Sequence, residues 1–147
     1  MTANKLQVIL DTNVFMVSIL PHHIYFWIYQ SLRNKEYDLL ISNEILSEYY
    51  EKLTEKYGLE NTNTAIEVLL TSSNVHLISP TYRFTLIVDD PDDDKFVDCA
   101  VAGNADFIVS HDKHYNVLKN ITFPKVNVIK IPEFKEILEE QKRSTTA

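Results

Sequence analysis

Apolar runs alternate with amphipathic stretches along all 147 residues, predicting an α/β fold: a doubly wound, mostly parallel sheet flanked by helices in an α/β/α sandwich. Two of the runs, Leu6-Gln7-Val8-Ile9-Leu10 and Phe107-Ile108-Val109, carry most of that prediction. Both are too short and too β-branched for helices, and both are apolar enough to be covered on two faces, as parallel strands are. Asp11 directly follows the first run and Asp112 closely follows the second, at the strand ends where such sheets gather functional groups.

The elements are expected in the following order. A strand at 6–10 leads into a short helix over 13–20, which Pro21 stops. A helix over 23–32 follows, with the apolar stripe Ile24, Trp27, Ile28 and Leu32 and with Tyr25, Phe26 and Tyr29 beside it. Being apolar on more than one face, this helix needs covering, and a shared role in the core and in a protein interface is expected of it. After a strand at 37–41, Ser42 caps a helix that runs to Tyr57 and ends at Gly58, with Ile45, Leu46, Tyr49, Leu53 and Tyr57 as its apolar face. A helix over 61–70, a strand at 75–78, an irregular connection from Pro80 to Val88 and an acidic loop at 89–93 come next. The helix over 94–104 points Phe96, Val97, Ala100 and Val101 inward. A strand at 107–110, a turn or short helix near 113–119, a strand at 126–130 and a last helix started by Pro132 complete the domain. Residues 1–140 are expected to form one domain and 141–147 a frayed polar tail.

Composition narrows the function. A chain of this size buries about 70% of the surface its unfolded form exposes and needs no staples. Cys99, the one cysteine, excludes an intramolecular disulfide and a CxxC zinc motif, agrees with a reducing compartment, and reads as core packing. No stretch approaches the roughly 20 apolar residues of a membrane span, so a soluble cytoplasmic protein is expected. With 21 acidic against 14 basic residues and a formal charge of -7, the chain lacks the basic balance of a nonspecific nucleic-acid binder. A polyanionic substrate therefore requires metal ions, a local basic patch, or both. The first strand ends in Asp-Thr-Asn and no glycine-rich phosphate loop follows it, so no nucleotide cofactor is expected.

Four acids stand at strand ends or helix starts: Asp11, Glu48, Asp94 and Asp112. Glu48 lies two turns into its helix, at the polar edge of the apolar stripe, and Glu44 one turn earlier is its rival. Two carboxylates about 4 Å apart repel by about 4 kcal/mol at an effective dielectric near 20, so a convergent set needs a cation or a proton between its members. Hard oxygen donors suit Mg²⁺ or Mn²⁺, and such ions activate water and stabilise the leaving oxygen in phosphodiester hydrolysis. Taken singly, each acid also has a plain reading: a helix cap at Asp11, a solvated charge at Glu48, helix-end electrostatics at Asp94 among Asp89, Asp90, Asp92 and Asp93, and a turn residue at Asp112.

Their order and spacing resemble the PIN-domain family of metal-dependent nucleases, which includes the VapC-like toxins of bacterial toxin-antitoxin systems. The resemblance spans nearly the whole chain. It rests on Val8-Ile9-Leu10-Asp11-Thr12-Asn13-Val14, on the helix start Ser42-Asn43-Glu44-Ile45-Leu46-Ser47-Glu48-Tyr49, on Asp90-Pro91-Asp92-Asp93-Asp94-Lys95-Phe96, and on Ala105-Asp106-Phe107-Ile108-Val109-Ser110-His111-Asp112. It implies a Mg²⁺- or Mn²⁺-dependent endoribonuclease acting on RNA and held in check by an antitoxin protein; the apolar helix over 23–32 is consistent with a homodimer or an antitoxin groove. It also implies that Asp11, Glu48, Asp94 and Asp112 are the catalytic and metal-binding quartet, supported by Asn13 and Ser110. The chain departs from the family at His114, where relatives commonly carry another acid.

Asp98, one helical turn from Asp94, is a further candidate ligand, although a supporting or solvated role is the plainer reading. His111 and His114 straddle Asp112 and are candidates for phosphate contact or proton transfer, against the ordinary expectation of surface histidines. Lys95, Lys113 and Lys119 are candidates to offset the acidic field, with solvated lysines as the ordinary expectation. Two other readings compete: a catalytically weak or inactive PIN-like module that binds nucleic acid or acts as a scaffold, and a phosphoryl-transfer receiver domain. The second fits poorly, because it wants paired acids straight after the first strand, where Asp-Thr-Asn stands.

Overall fold

Strand pairing follows from the apolar runs. In the computed structural model, which describes residues 5–87 and 93–146, β1 (Gln7–Leu10), β2 (Asp38–Ile41), β3 (Val75–Leu77), β4 (Phe107–Val109) and β5 (Val128–Ile129) form one sheet. Its order is β3-β2-β1-β4-β5, and every neighbouring pair is parallel. Val8, Ile9 and Leu10 of the central strand have no exposed surface, and Leu39, Leu40, Ile41, Ile108 and Val109 are buried with them. Chain order runs in opposite directions on the two sides of β1, which places the topological switch point between β1 and β4.

Among the described residues six α-helices flank the sheet: α1 (Thr12–Ser18), α2 (Phe26–Arg33), α3 (Asn43–Tyr57), α4 (Leu59–Thr71), α5 (Asp94–Gly103) and α6 (Ile131–Thr146). Among the described residues no helix is long and apolar enough to cross a membrane. Phe15 of α1 stacks on Tyr49 of α3 with ring centroids 4.5 Å apart. Phe134 of α6 meets Trp27 at 5.4 Å, Tyr37 at 5.2 Å and Phe107 at 5.7 Å, tying α2 and α6 to the ends of β2 and β4. The last turn of α5 lies so close to the sheet that a Cβ on Gly103 would fall 2.8 Å from Leu40 Cδ1. Cys99 is fully buried in α5, as its expected packing role requires, and burial pushes its thiol up to about 12.

Several boundaries differ from the sequence reading, each for a local reason. The helix expected over 13–20 ends at Ser18, whose hydroxyl donates to the Phe15 carbonyl at 2.7 Å. The helix expected over 23–32 starts only at Phe26, because the Tyr25 amide donates to His23 Nδ1 at 3.1 Å and a turn precedes the helix. Ile24 therefore lies outside α2 and is 78% exposed, while Ile28, Tyr29 and Leu32 are buried and α6 covers Trp27. The apolar excess of this helix is thus largely spent inside the domain. The last helix begins at Ile131, one residue before Pro132, and continues through the segment expected to fray. An ion pair from Lys142 to Glu36 anchors that end. Between β4 and β5 the short helix is a 3-10 helix at Lys113–Asn120. The acidic loop expected at 89–93 falls outside the described residues except for Asp93.

Gly58 ends α3 as anticipated and also stands at the start of α4. Its φ of 86° and ψ of 164° lie in a region reached almost only by glycine. Gly58→Ala is therefore expected to destabilise the fold by about 1–3 kcal/mol, read as a lower urea midpoint with an unchanged m-value.

Candidate active site

The site starts from the end of β1. The Asp11 amide donates to the Val109 carbonyl of β4 at 3.1 Å, and the Asp11 carbonyl accepts from the Phe15 amide at 3.0 Å as α1 begins. A strand that stays paired to its last residue and turns directly into a helix leaves the intervening side chain 6% exposed. The Ser110 hydroxyl, one residue past β4, donates to Asp11 Oδ2 at 2.7 Å. The Ser110 hydroxyl oxygen in turn accepts from the Asp112 amide at 3.0 Å. Burial raises the Asp11 carboxyl above its ordinary pKa; the hydrogen bonds from Ser110 and Thr12 oppose that, and the charges of Asp112 and Glu48 add to it.

Glu48 comes from α3. One of its oxygens accepts from the Thr12 hydroxyl, and Oε1 lies 2.8 Å from Lys95 Nζ. Lys95 is not the solvated lysine expected from the sequence: its side chain is 14% exposed and its ammonium lies 5.7 Å from the centre of the Phe96 ring. Glu44, the rival of Glu48, turns outward to pair with the exposed Arg83 at 2.5 Å. Directly behind Glu48, the Tyr49 hydroxyl donates to the Leu10 carbonyl, so α3 is held to the residue that precedes Asp11.

The acids at the start of α5 divide into two groups. Asp94 and Asp98 are both buried, and their Oδ1 atoms accept from the Ile87 amide at 2.8 Å and the Phe84 amide at 2.9 Å. These two carboxylates tie the irregular 84–87 segment to the helix. Burial raises the Asp98 carboxyl above its ordinary value, and the charge of Asp94 adds to the shift. Asp93 comes together with Asp112 and His114, one ligand-capable atom from each lying within 4.8 Å of the others. Asp112 Oδ1 accepts from the His114 amide at 2.9 Å and lies 3.2 Å from the ring Nδ1.

The two histidines beside Asp112 have different surroundings. His111 Nε2 accepts from the Ile131 amide at 3.3 Å, which fixes the ring against the start of α6. His114 keeps a side chain 43% exposed at the mouth of the cluster. Asn13 is exposed, and together with Asp11, Asp112 and His111 it lines a hollow of about 290 Å³. Asp112 also borders a larger groove of about 660 Å³ that contains Lys113, Tyr115 and Lys119.

Tyr115 has no counterpart in the sequence reading. It is 2% exposed, and its hydroxyl has no hydrogen-bond partner among the described residues. Burial raises the phenol pKa first, and the charges of Asp11, Asp93, Asp112 and Glu48 raise it further, so the group remains a protonated donor. The same four acids thus act on one buried hydroxyl.

The geometry is that of an acidic pocket at the switch point of a parallel α/β sheet, with oxygen donors and one exposed imidazole that suit a divalent cation. The chain belongs to the PIN domain family, whose model matches residues 7–114. An uncharacterised protein of Methanocaldococcus jannaschii is 32% identical over 151 residues, spanning 92% of each chain. Among solved structures the chain is similar to VapBC2 from Rickettsia felis bound to a DNA fragment from its promoter, with a TM-score of 0.60 and 18% identity over 85% of this chain and 98% of that one. It is also similar to the PIN domain of RRP44 from T. brucei, with a TM-score of 0.54 and 12% identity over 95% and 84% of the two chains. At these identities the structural likeness establishes the fold, a parallel sheet flanked by helices as expected.

Because the folded state holds the Asp11 proton more tightly than the unfolded chain does, the metal-free protein should lose stability as pH rises from the ordinary aspartate pKa through that of Asp11. Asp11→Asn should accordingly raise the urea midpoint of the metal-free protein at pH 7. A lower midpoint would mean that the Ser110 hydrogen bond outweighs the cost of burial. Ser110→Ala, which removes the donor that orients Asp11, should weaken divalent-metal affinity by about 10- to 100-fold in calorimetry.

Proposed function

We propose that this PIN domain is a divalent-metal-dependent endoribonuclease that uses Mg²⁺ or Mn²⁺ to hydrolyse RNA phosphodiester bonds. We further propose that it is the toxin of a toxin-antitoxin pair, a cytoplasmic homodimer restrained by its antitoxin. The observation that carries the chemistry is the Asp11 carboxylate at the switch point of the sheet, which burial first, and the charges of Asp112 and Glu48 after it, hold back from ionisation. Family membership supports the nuclease reading, and likeness to VapBC2 and to VapBC-1 from nontypeable Haemophilus influenzae supports the toxin reading.

Asp11, Glu48 and Asp112 are proposed as three acids of the quartet. From α5, Asp93 is proposed to join them, since it is the acid that meets Asp112 and His114. Asp94, the member that the resemblance selects, then supports the site by fixing the start of α5 to Ile87, as Asp98 does through Phe84. A bound divalent cation supplies charge neutralisation and a more acidic water for attack on phosphorus. The chain's own part is to hold that charge in place. Ser110 orients Asp11, Thr12 and Lys95 fix Glu48, and the Tyr115 hydroxyl offers a hydrogen bond to an oxygen in the pocket.

With Mn²⁺ the purified protein should cleave single-stranded RNA, and Asp11→Asn and Asp93→Asn should each slow cleavage by more than about 100-fold, a larger loss than that from Asp94→Asn. Absence of cleavage, with Asp11→Asn binding Mn²⁺ as tightly as the wild type, would remove this reading. One observation favours the competing scaffold reading: Lys95 already neutralises Glu48 without a metal. A calorimetric titration showing no binding of Mn²⁺ or Mg²⁺ would select it.

A further inference from the structure

Among the described residues, the side chains best grouped to hold a cation are Asp93, Asp112 and His114, a donor set of two carboxylates and one imidazole. The Asp112 carboxylate takes the His114 backbone amide and lies against its ring Nδ1, so the loop places the imidazole beside an acid before any ion arrives. A second feature lies one residue along the chain. The Tyr115 hydroxyl is buried and has no hydrogen-bond partner among the described residues, and the charges of Asp93 and Asp112 reach it along with those of Asp11 and Glu48.

Resting on the metal-site reading above, we infer that His114 is a ligand that makes this site selective for a first-row transition ion over Mg²⁺, through its imidazole acting with Asp93 and Asp112. Mg²⁺ takes hard oxygen ligands in near-ideal octahedral geometry and gives up its waters reluctantly. Imidazole nitrogen adds affinity for the transition ions, rising from Mn²⁺ to Co²⁺, and little for Mg²⁺. A carboxylate at position 114 would give an all-oxygen set with no such bias. His111, the neighbouring histidine, is excluded as the source of nitrogen because its Nε2 already accepts from the Ile131 amide.

The test uses the full chain at pH 8, where ordinary imidazoles are neutral. Calorimetry with Mg²⁺, Mn²⁺ and Co²⁺ should show affinity rising in that order, with Mn²⁺ held roughly tenfold more tightly than Mg²⁺. The electron spin echo of bound Mn²⁺ should carry modulation from a directly coordinated ¹⁴N. His114→Asp should bring the Mn²⁺ to Mg²⁺ ratio toward parity, and both His114→Asp and His114→Gln should lose the ¹⁴N modulation. Tight Mn²⁺ binding without ¹⁴N modulation in the wild type overturns the role of His114 and leaves the metal site standing, as does an unchanged ratio in His114→Asp. Failure of the wild type to bind any of the three ions overturns both.

Discussion

A central strand paired on both edges and covered on both faces governs this molecule. β1 pairs with β2 at Gln7 and Val8 and with β4 from Val8 to Leu10, and Val8, Ile9 and Leu10 have no contact with solvent. Residue 11 inherits that enclosure, since its amide still bonds to β4 while its carbonyl already serves α1. A carboxylate in such a position loses hydration that a single serine hydroxyl and one amide only partly replace. The fold thus holds a group whose charge is costly, and it does so at the point where its strand order changes direction.

The surrounding charges are compensated in different ways. Glu48 has an internal cation in Lys95, while Asp94 and Asp98 accept backbone amides from the 84–87 segment. Asp11 is held at the end of β1 by Ser110, while Asp93 meets Asp112 and His114 in a separate group, and the charges of all three acids raise the pKa of the buried Tyr115 hydroxyl. Groups held at a cost of this kind cluster at functional sites, because the rest of the fold supplies the stability that maintains them.

Much of the scaffold was legible from residue pattern. The β-branched runs at β1 and β4, Ser42 as a cap and Gly58 as a stop all appear where periodicity and capping place them. Asp11 and Asp112 were visible because strand ends in parallel sheets need no packing detail to locate. The start of α2 was less legible, since a His23 ring nitrogen captures the Tyr25 amide and delays the helix. The end of α6 was hidden for a similar reason: its polar last turns read as a tail until Lys142 is seen reaching Glu36. Lys95 was a candidate to offset the acids, but its burial against Glu48 was not legible, and Tyr115 carried no local signal, because a tyrosine in a polar turn looks ordinary in one dimension.

By itself the sequence determined that the chain forms a parallel α/β sheet with acids at its strand ends, because strand burial and helix capping depend on neighbours within a few residues. Only the tertiary structure decided which acid of the run before Phe96 turns toward Asp112. Adjacent positions at a helix start differ by about 100° in direction, so the register of α5 against β4 sends Asp93 toward the cluster and Asp94 toward Ile87. It also decided that His114, which the sequence sets beside Asp112, meets Asp93 as well, and that the Tyr115 phenol is buried, since both depend on how the 3-10 turn after β4 packs.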